Sequence, residues 1–181
     1  DVPEPIAGFG DVVIDVRAAG LCHSDVGLME DEGWLSMLAK RPITIGHEVA
    51  GVISALGEGV RGWAIGDRVG VCPTTPAGAP GYAYDGGYAD RVRVAAQTLV
   101  RIPVNVSFGL GAVGTDAGMT SHHAIMSTGG LRAGMKLGII GLGGLGQIGA
   151  RVGVLAGAEV YVAEIDRRAW ALGDALGVKR M

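Results

Sequence analysis

The chain has 181 residues, of which 49% are hydrophobic and 18% are charged, with a formal net charge of −3. This composition supports a packed core and excludes a disordered chain, and the length allows one large domain or two small ones. The small negative charge gives no electrostatic basis for binding nucleic acid, and no apolar run is long enough to span a membrane.

The first hundred residues predict a β-rich, barrel-like domain. Stretches rich in valine and isoleucine, separated by Gly, Pro and Asp, are typical of half-buried strands. The predicted strands are 11–17, 49–56, 68–71, 88–94 and 99–102. The segment 72–87 is rich in proline and glycine, and a loop of this length is usually functional, mobile or a truncated insertion.

The rest of the chain predicts the first part of a doubly wound parallel sheet. Small residues dominate 107–128, which we expect to be helical in pieces. The sequence then reads strand (137–140), helix (145–156), strand (160–163) and a last helix that Asp166 caps and Gly177 ends. Because two parallel strands cannot bury both faces of a sheet, we expect the chain to represent part of a longer protein.

A glycine-rich loop, Gly141–Gly146 (GLGGLG), lies between the first of these strands and the helix after it. Gly141 would make the tight turn, Gly143 would let a pyrophosphate approach the backbone, and Gly146 would let the helix pack closely. Gly144 and Leu145 open the helix, whose N-terminal N–H groups would face the phosphates. The pattern predicts a dinucleotide site.

Glu164 ends the next strand, 18 residues after Gly146. This is close to the offset of roughly 20 expected for the carboxylate that accepts the ribose hydroxyls of NAD. Such a carboxylate repels the extra phosphate of NADP, so NAD is the predicted cofactor. NADP remains an alternative because of Arg167 and Arg168, since either side chain could reach a phosphate.

Three distant segments carry side chains that can bind a metal: Cys22-His23-Ser24-Asp25, Gly46-His47-Glu48 and Thr115-Asp116. A thiolate, an imidazole and a carboxylate can hold zinc with one position open, as a catalytic zinc requires. Spacing alone does not specify this site. The alternative is a buried apolar Cys22, a hydrogen-bonded turn at His47 and a helix cap at Asp116.

The two cysteines, Cys22 and Cys72, cannot form a disulfide framework, although they could pair with each other. A reduced pair and the absence of a visible signal peptide favour a cytoplasmic location.

The run Gly46–Val60, GHEVAGVISALGEGV, resembles the zinc signature of the medium-chain alcohol dehydrogenase family. The segments AAGLCHSD and GWAIGDRV, the GLGGLG loop and the strand ending in Glu164 are similar to further motifs of that family, in the same order. The resemblance implies a GroES-like catalytic domain at 1–117 and a partial Rossmann domain at 118–181. It also implies a zinc-dependent enzyme that transfers hydride between an alcohol and NAD(P).

By this resemblance, the ligands of a catalytic zinc are Cys22, His47 and Asp116, with aspartate in place of the cysteine found in many members. Glu48 is implied as the adjacent carboxylate that approaches the metal, and Asp25 as the residue that orients His47. The resemblance further implies that Ser24 accepts the alcohol proton. Thr120 is expected against the nicotinamide ring, and Arg168 near the cofactor.

Two departures from the family pattern affect these expectations. The region of the four-cysteine structural zinc lobe holds only Cys72, so we expect no structural zinc, whether the lobe is absent or missing from this sequence. The position of the relay histidine is Gly27. The proton would leave through Ser24 and the cofactor ribose, or through another base, for which His23, His122 and His123 are candidates.

Two other functions stay open: a zinc-free quinone or enone reductase of the same superfamily, and a non-catalytic protein that keeps the cofactor pocket. The expected partners are a small alcohol or carbonyl substrate and further copies of the chain, in a homodimer or homotetramer of the full-length protein. We expect neither nucleic acid nor membrane as a partner.

Overall fold

A computed structural model of the chain describes residues 3–180 and separates into two compact units. The first unit is Asp1–Asp116 and the second is Ala117–Met181. The boundary expected from the sequence lies after residue 117.

The first unit is built on a five-stranded antiparallel sheet with the order β4-β1-β2-β3-β5. The strands are β1 (Asp11–Gly20), β2 (Glu48–Leu56), β3 (Arg68–Val71), β4 (Arg91–Ala95) and β5 (Leu99–Arg101). All five were predicted, but β4 begins at Arg91 and not at Tyr88. The N–H of Tyr88 donates to the carbonyl of Ile45, at 3.1 Å, and this holds residue 88 in a loop.

Alternating apolar residues of these strands form the core of the first unit. Val12 pairs with Leu56 of β2 on one side and with Val94 of β4 on the other, so β1 lies between these two strands. Full burial of each such side chain contributes about 1.5–3 kcal/mol. The buried cluster consists of Val12, Ile14, Val49, Ile53, Val69, Val71, Val92, Val94 and Leu99.

Short helices complete the first unit. Helix α1 (His23–Glu30) follows β1, and α2 (Phe108–Val113) packs Ala112 against Ala50 and Ile102. A π-helical turn, Gly114–Gly118, continues from α2. Helix α1 is not predicted from the sequence, because its only buried residues are Asp25 and Leu28, which form no apolar stripe.

The second unit contains a three-stranded parallel sheet with the order β6-β7-β8. Its elements are α3 (Met119–His122), a π-helical turn (His123–Thr128), β6 (Lys136–Ile140), α4 (Gly144–Leu155), β7 (Glu159–Ala163), α5 (Trp170–Leu176) and β8 (Lys179–Arg180). The short helical segments before residue 128, the strands β6 and β7 and the end of the last helix at Gly177 are as predicted. The third strand, β8, corrects the expectation of two, since a strand of two residues leaves no periodic pattern.

The chain is therefore an α/β protein. An antiparallel β domain comes first, and the beginning of a parallel α/β sheet follows it in sequence.

Candidate functional site

Cys22 lies at the junction between β1 and α1, where it caps the helix. Its backbone N–H donates to Oδ2 of Asp25 at 2.9 Å, so the carboxylate of the first helical turn fixes the backbone of Cys22. Asp25 is completely buried. Burial raises the pKa of Asp25, but the contacts with His47, the Cys22 amide and Tyr88 outweigh burial and lower it. Asp25 is therefore a buried anion.

His47 lies immediately before β2 and is 5% exposed. Its Nδ1 is 3.3 Å from Oδ1 of Asp25, an ion-pair distance, although the two atoms are not aligned for a hydrogen bond. Its Nε2 is 3.1 Å from Oδ2 of Asp116. Burial lowers the pKa of His47, but the two carboxylates outweigh burial and raise it to about 10. Without a metal, the imidazole therefore carries a proton at neutral pH.

Asp116 reaches this cluster from the π-helical turn, a type of distortion frequent at functional sites. The thiol of Cys22 lies 3.7 Å from Oδ2 of Asp116. Glu48 is 3% exposed and packs against Gly20, where a Cβ would come within 1.9 Å of its Oε2. One ligand atom each from Cys22, His47, Glu48 and Asp116 lies within 4.8 Å of the others.

This cluster fits a zinc ion. Zinc–ligand bonds of about 2.0–2.3 Å in a tetrahedron place neighbouring ligand atoms roughly 3.3–3.8 Å apart. The separation of 3.7 Å from Cys22 Sγ to Asp116 Oδ2 lies within that range, and the 3.1 Å from His47 Nε2 to the same oxygen lies slightly below it. A soft thiolate with an imidazole and a carboxylate is a set that zinc accepts in catalytic sites.

Two tyrosines that the sequence analysis did not single out flank the cluster. The ring of Tyr82 meets the His47 ring edge-on at 5.5 Å between centroids, and its hydroxyl hydrogen-bonds to Ser24. The hydroxyl of Tyr88 lies 3.0 Å from Oδ2 of Asp25. The sequence feature that could have indicated these tyrosines is the glycine-rich run GYAYDGGY, which contains both. Glycine-rich runs allow a loop to pack closely against neighbouring backbone.

That loop packs directly on the segment before His47. A Cβ on Gly81 would come within 2.7 Å of the N atom of Gly46, and a Cβ on Gly86 within 2.3 Å of its carbonyl oxygen. The N–H groups of Gly86 and Gly87 donate to the carbonyls of Thr44 and Gly46. Backbone contact at glycine thus holds both tyrosines at the cluster.

The hydroxyl oxygen of Ser24 accepts a hydrogen bond from the Cys22 thiol, with 3.6 Å between Sγ and Oγ. The position of the relay histidine, Gly27, is covered by the indole of Trp34, since a Cβ on Gly27 would meet that ring at 2.9 Å. His23, His122 and His123, the other candidate bases, are exposed and lie outside the ligand cluster.

The second unit carries the glycine loop at the carboxyl end of β6. Gly141 has φ +87°, and a Cβ on Gly146 would come within 1.9 Å of the carbonyl oxygen of Gly141, so the turn and the helix start are in close contact. Beside Gly143 and Gly144 a Cβ would meet nothing within 4 Å. The half-exposed Leu145 lies in the first turn of α4, whose N-cap, Gly143, has no side chain to occupy the helix terminus.

Glu164 follows β7 and holds the glycine loop in place by hydrogen bonding. Its two carboxylate oxygens accept the N–H of Asp166 at 2.7 Å and the N–H of Leu142 at 2.5 Å. These two amide hydrogen bonds lower the pKa of Glu164, which keeps it ionised. The exposed guanidinium of Arg168 is held by Asp166, from Nη2 to Oδ2 at 2.8 Å.

Thr120 lies exposed on α3. The next residue, Ser121, donates its hydroxyl to the carbonyl of Leu145 at 3.0 Å, which ties α3 to the start of α4.

Residues 8–104 match the alcohol dehydrogenase GroES-like domain family. An alcohol dehydrogenase of Geobacillus stearothermophilus is 33% identical over 98% of this chain and 57% of its own length. A 2-dehydro-3-deoxy-L-galactonate 5-dehydrogenase of Pseudoalteromonas atlantica is 34% identical over 94% of this chain and 54% of its own. The crystal structure of the Aeropyrum pernix alcohol dehydrogenase superposes with a TM-score of 0.86 at 30% identity, covering 100% of this chain and 60% of that one.

These matches agree with the antiparallel domain and the parallel α/β unit that follows it. The chain belongs to the medium-chain alcohol dehydrogenase family. It spans little more than half the length of the curated relatives that it matches. Among residues 3–180, no helix has the length and apolar character needed to cross a membrane.

Proposed function

We propose that the protein is a zinc-dependent oxidoreductase that transfers hydride between an alcohol and NAD, with an aldehyde or ketone as the product. The observation that carries the proposal is the convergence of Cys22, His47, Glu48 and Asp116 within 4.8 Å. The named dehydrogenases among its relatives, together with the glycine loop of the second unit, support the oxidoreductase class.

Cys22, His47 and Asp116 would hold the zinc ion, and Glu48 would lie beside it. Asp25 faces Nδ1 of His47, so it keeps Nε2 directed at the metal position. When bound, the two cofactors supply Lewis acidity toward the substrate oxygen and a hydride acceptor. The protein contributes the ligand geometry and the route for the proton.

In our proposal, Oγ of Ser24 accepts the proton of the substrate hydroxyl and passes its own hydroxyl proton on toward water, so that Ser24 stays neutral. The Tyr82 hydroxyl, hydrogen-bonded to Ser24, extends that route in a chain whose relay position is Gly27. General acid–base groups of this kind contribute about 10²–10⁴-fold to a rate.

The backbone N–H groups of the glycine loop would bind the pyrophosphate, and Glu164 would accept the ribose hydroxyls. An ionised carboxylate retains acceptor capacity after two amide bonds, because its two oxygens offer about four lone-pair sites. The same charge disfavours the additional phosphate of NADP. The opposing charge of Arg168 is already engaged by Asp166.

The test is a panel of primary and secondary alcohols assayed with NAD and with NADP, using the natural full-length protein with zinc content measured in parallel. We expect alcohol-dependent NADH absorbance that a chelator abolishes and zinc restores. Carbonyl or enone reduction that persists without metal would instead support the zinc-free reductase. Cofactor binding without turnover of any alcohol would support the non-catalytic role.

A further inference from the structure

Tyr88 connects the loop before β4 to the buried Asp25. Its phenol oxygen is 3.0 Å from Oδ2 of Asp25 and 3.0 Å from the carbonyl oxygen of Gly20. A phenol has a single hydrogen to donate, and the ionised carboxylate is the stronger acceptor. Oδ2 of Asp25 therefore receives two donors, the Tyr88 hydroxyl and the N–H of Cys22.

Both donors matter because Asp25 is a fully buried charge. A buried carboxylate is stable only when hydrogen bonds or opposite charges compensate for the loss of water. Its other oxygen, Oδ1, lies 3.3 Å from Nδ1 of His47. With Oδ2 held, rotation of the carboxylate is restricted, and Oδ1 stays directed at the imidazole.

The ring of Tyr88 is fixed by the same segment that carries His47. A Cβ on Gly46 would come within 2.7 Å of the ring, so the ring lies directly on Gly46, whose φ of +100° also favours glycine. The backbone N–H of Tyr88 donates to the carbonyl of Ile45. The contacts with Gly46 and Ile45 thus position the Tyr88 hydroxyl at Asp25, and neither contact involves a proposed metal ligand.

We propose that Tyr88 is a positioning residue of the metal centre: its hydroxyl holds Asp25, and Asp25 holds the His47 imidazole toward the ion. This inference rests on the zinc site proposed above. It assigns Tyr88, the last tyrosine of the GYAYDGGY run, a role in metal affinity, which neither a packing role nor a substrate contact would require.

The experiment compares Tyr88→Phe with Tyr84→Phe. Both changes remove one hydroxyl from the same loop, but that of Tyr84 is buried with no hydrogen-bond partner among residues 3–180. Zinc affinity is measured by competition with a chromophoric chelator, and the visible absorption of the Co²⁺ form is recorded at saturating metal. Circular dichroism of the metal-free chains checks folding.

We expect Tyr88→Phe to weaken zinc binding about tenfold, the lower end of the effect of losing a direct partner of a metal-binding histidine, because Tyr88 acts through Asp25. The Co²⁺ spectrum should change because the imidazole is less firmly oriented, whereas Tyr84→Phe should match the wild type in both measurements. Asp25→Asn replaces one carboxylate oxygen by an NH2 donor, which disturbs the contact with either Tyr88 or His47, and its Co²⁺ form should show the same kind of spectral change.

Zinc affinity of Tyr88→Phe within about twofold of Tyr84→Phe would overturn the inference. So would weakened affinity with an unchanged Co²⁺ spectrum, because the loss would then be independent of ligand orientation. If Tyr88→Phe failed to fold, an unaltered Co²⁺ spectrum in Asp25→Asn would have the same meaning. A wild-type chain that binds no zinc would overturn the zinc centre itself, and the two failures are thus separable.

Discussion

His47 lies between two carboxylates, and this position determines how the site behaves without a metal. Asp116 is 3.1 Å from Nε2 and Asp25 is 3.3 Å from Nδ1. Two anions around one imidazole, the buried Asp25 and the partly exposed Asp116, favour its charged form, so a proton takes the place that a divalent cation would otherwise occupy. In the proposed site, zinc would have to displace this proton, and metal affinity would therefore be coupled to pH.

The first prediction concerns the stability of the metal-free chain between pH 6 and 10. The pKa of His47 is raised to about 10 in the folded chain, against about 6.5 in the unfolded chain. The folded state holds the proton more tightly, so the stabilisation is fully present below pH about 6.5 and is lost as pH rises through about 10. Urea midpoints measured with a chelator present should fall over this range.

His47→Gln removes the titrating group, and its urea midpoint should fall much less over the same pH range. His122→Gln, a change at an exposed histidine, is the matched control and should follow the wild type. Parallel curves for the wild type and His47→Gln would contradict the prediction, because other groups would then account for the whole pH dependence.

The second prediction compares the two cysteines. Cys22→Ser removes the thiolate ligand and should abolish stoichiometric zinc binding, since a neutral hydroxyl is a poor replacement. NAD affinity should stay within about twofold, because the glycine loop belongs to the other unit. Cys72→Ser, outside the ligand cluster, should bind zinc like the wild type. Isothermal titration with each ligand checks both statements, and a zinc-binding Cys22→Ser chain would remove Cys22 from the site.

At the scale of elements, the glycine loop depends on close packing between its turn and the start of α4. The third prediction is that Gly146→Ala lowers dinucleotide affinity at least about tenfold, because its Cβ cannot occupy a point 1.9 Å from the carbonyl oxygen of Gly141. Gly138→Ala, where a Cβ meets nothing within 4 Å, is the matched control. Fluorescence titration with NADH measures both, and equal affinities would show that the loop tolerates the added atom.

Elements with a strong local pattern could be predicted from sequence. Most strands of the first unit are rich in valine and isoleucine, and the GLGGLG loop has a strand before it and a helix after it. Helix α1 could not be found in this way, because its sequence HSDVGLME has no apolar face. Nor could β8, whose two residues are placed by pairing with β7.

The metal cluster also could not be predicted from local sequence patterns. Cys22 and Asp116 are 94 positions apart, and no spacing rule connects them. Only the resemblance to a family suggested that they belong together. The loop 81–88, which carries Tyr82 and Tyr88, could not be assigned to the site from its sequence. Glycine-rich runs are common in this chain of 33 glycines, and nothing in the run indicates a contact with Asp25.

At the scale of the whole molecule, each of the two units carries one of the proposed sites. The proposed zinc ligands belong to Asp1–Asp116, and the glycine loop and Glu164 belong to Ala117–Met181. A ligand that binds only the folded form of a unit stabilises it by about 2.7 kcal/mol at a concentration of 100 Kd. This corresponds to roughly 100-fold slower amide exchange wherever exchange requires that unit to open.

The fourth prediction is that each ligand protects its own unit in hydrogen–deuterium exchange followed by mass spectrometry. Zinc should slow exchange around residues 20–30 and 44–50, and NAD around 140–147 and 164–168. The chelated chain without NAD is the reference, and Mg²⁺, which prefers oxygen ligands, is the control ion. Zinc-dependent protection confined to the glycine loop would contradict the assignment of the metal site.

The indole of Trp34, lying on Gly27, has a consequence for any attempt to engineer this protein. A histidine introduced at position 27 would find its first side-chain atom already in contact with the indole at 2.9 Å. A histidine at this position, where the family resemblance expects the relay residue, therefore would not fit by one substitution. Trp34 would have to move or be replaced by a smaller residue at the same time.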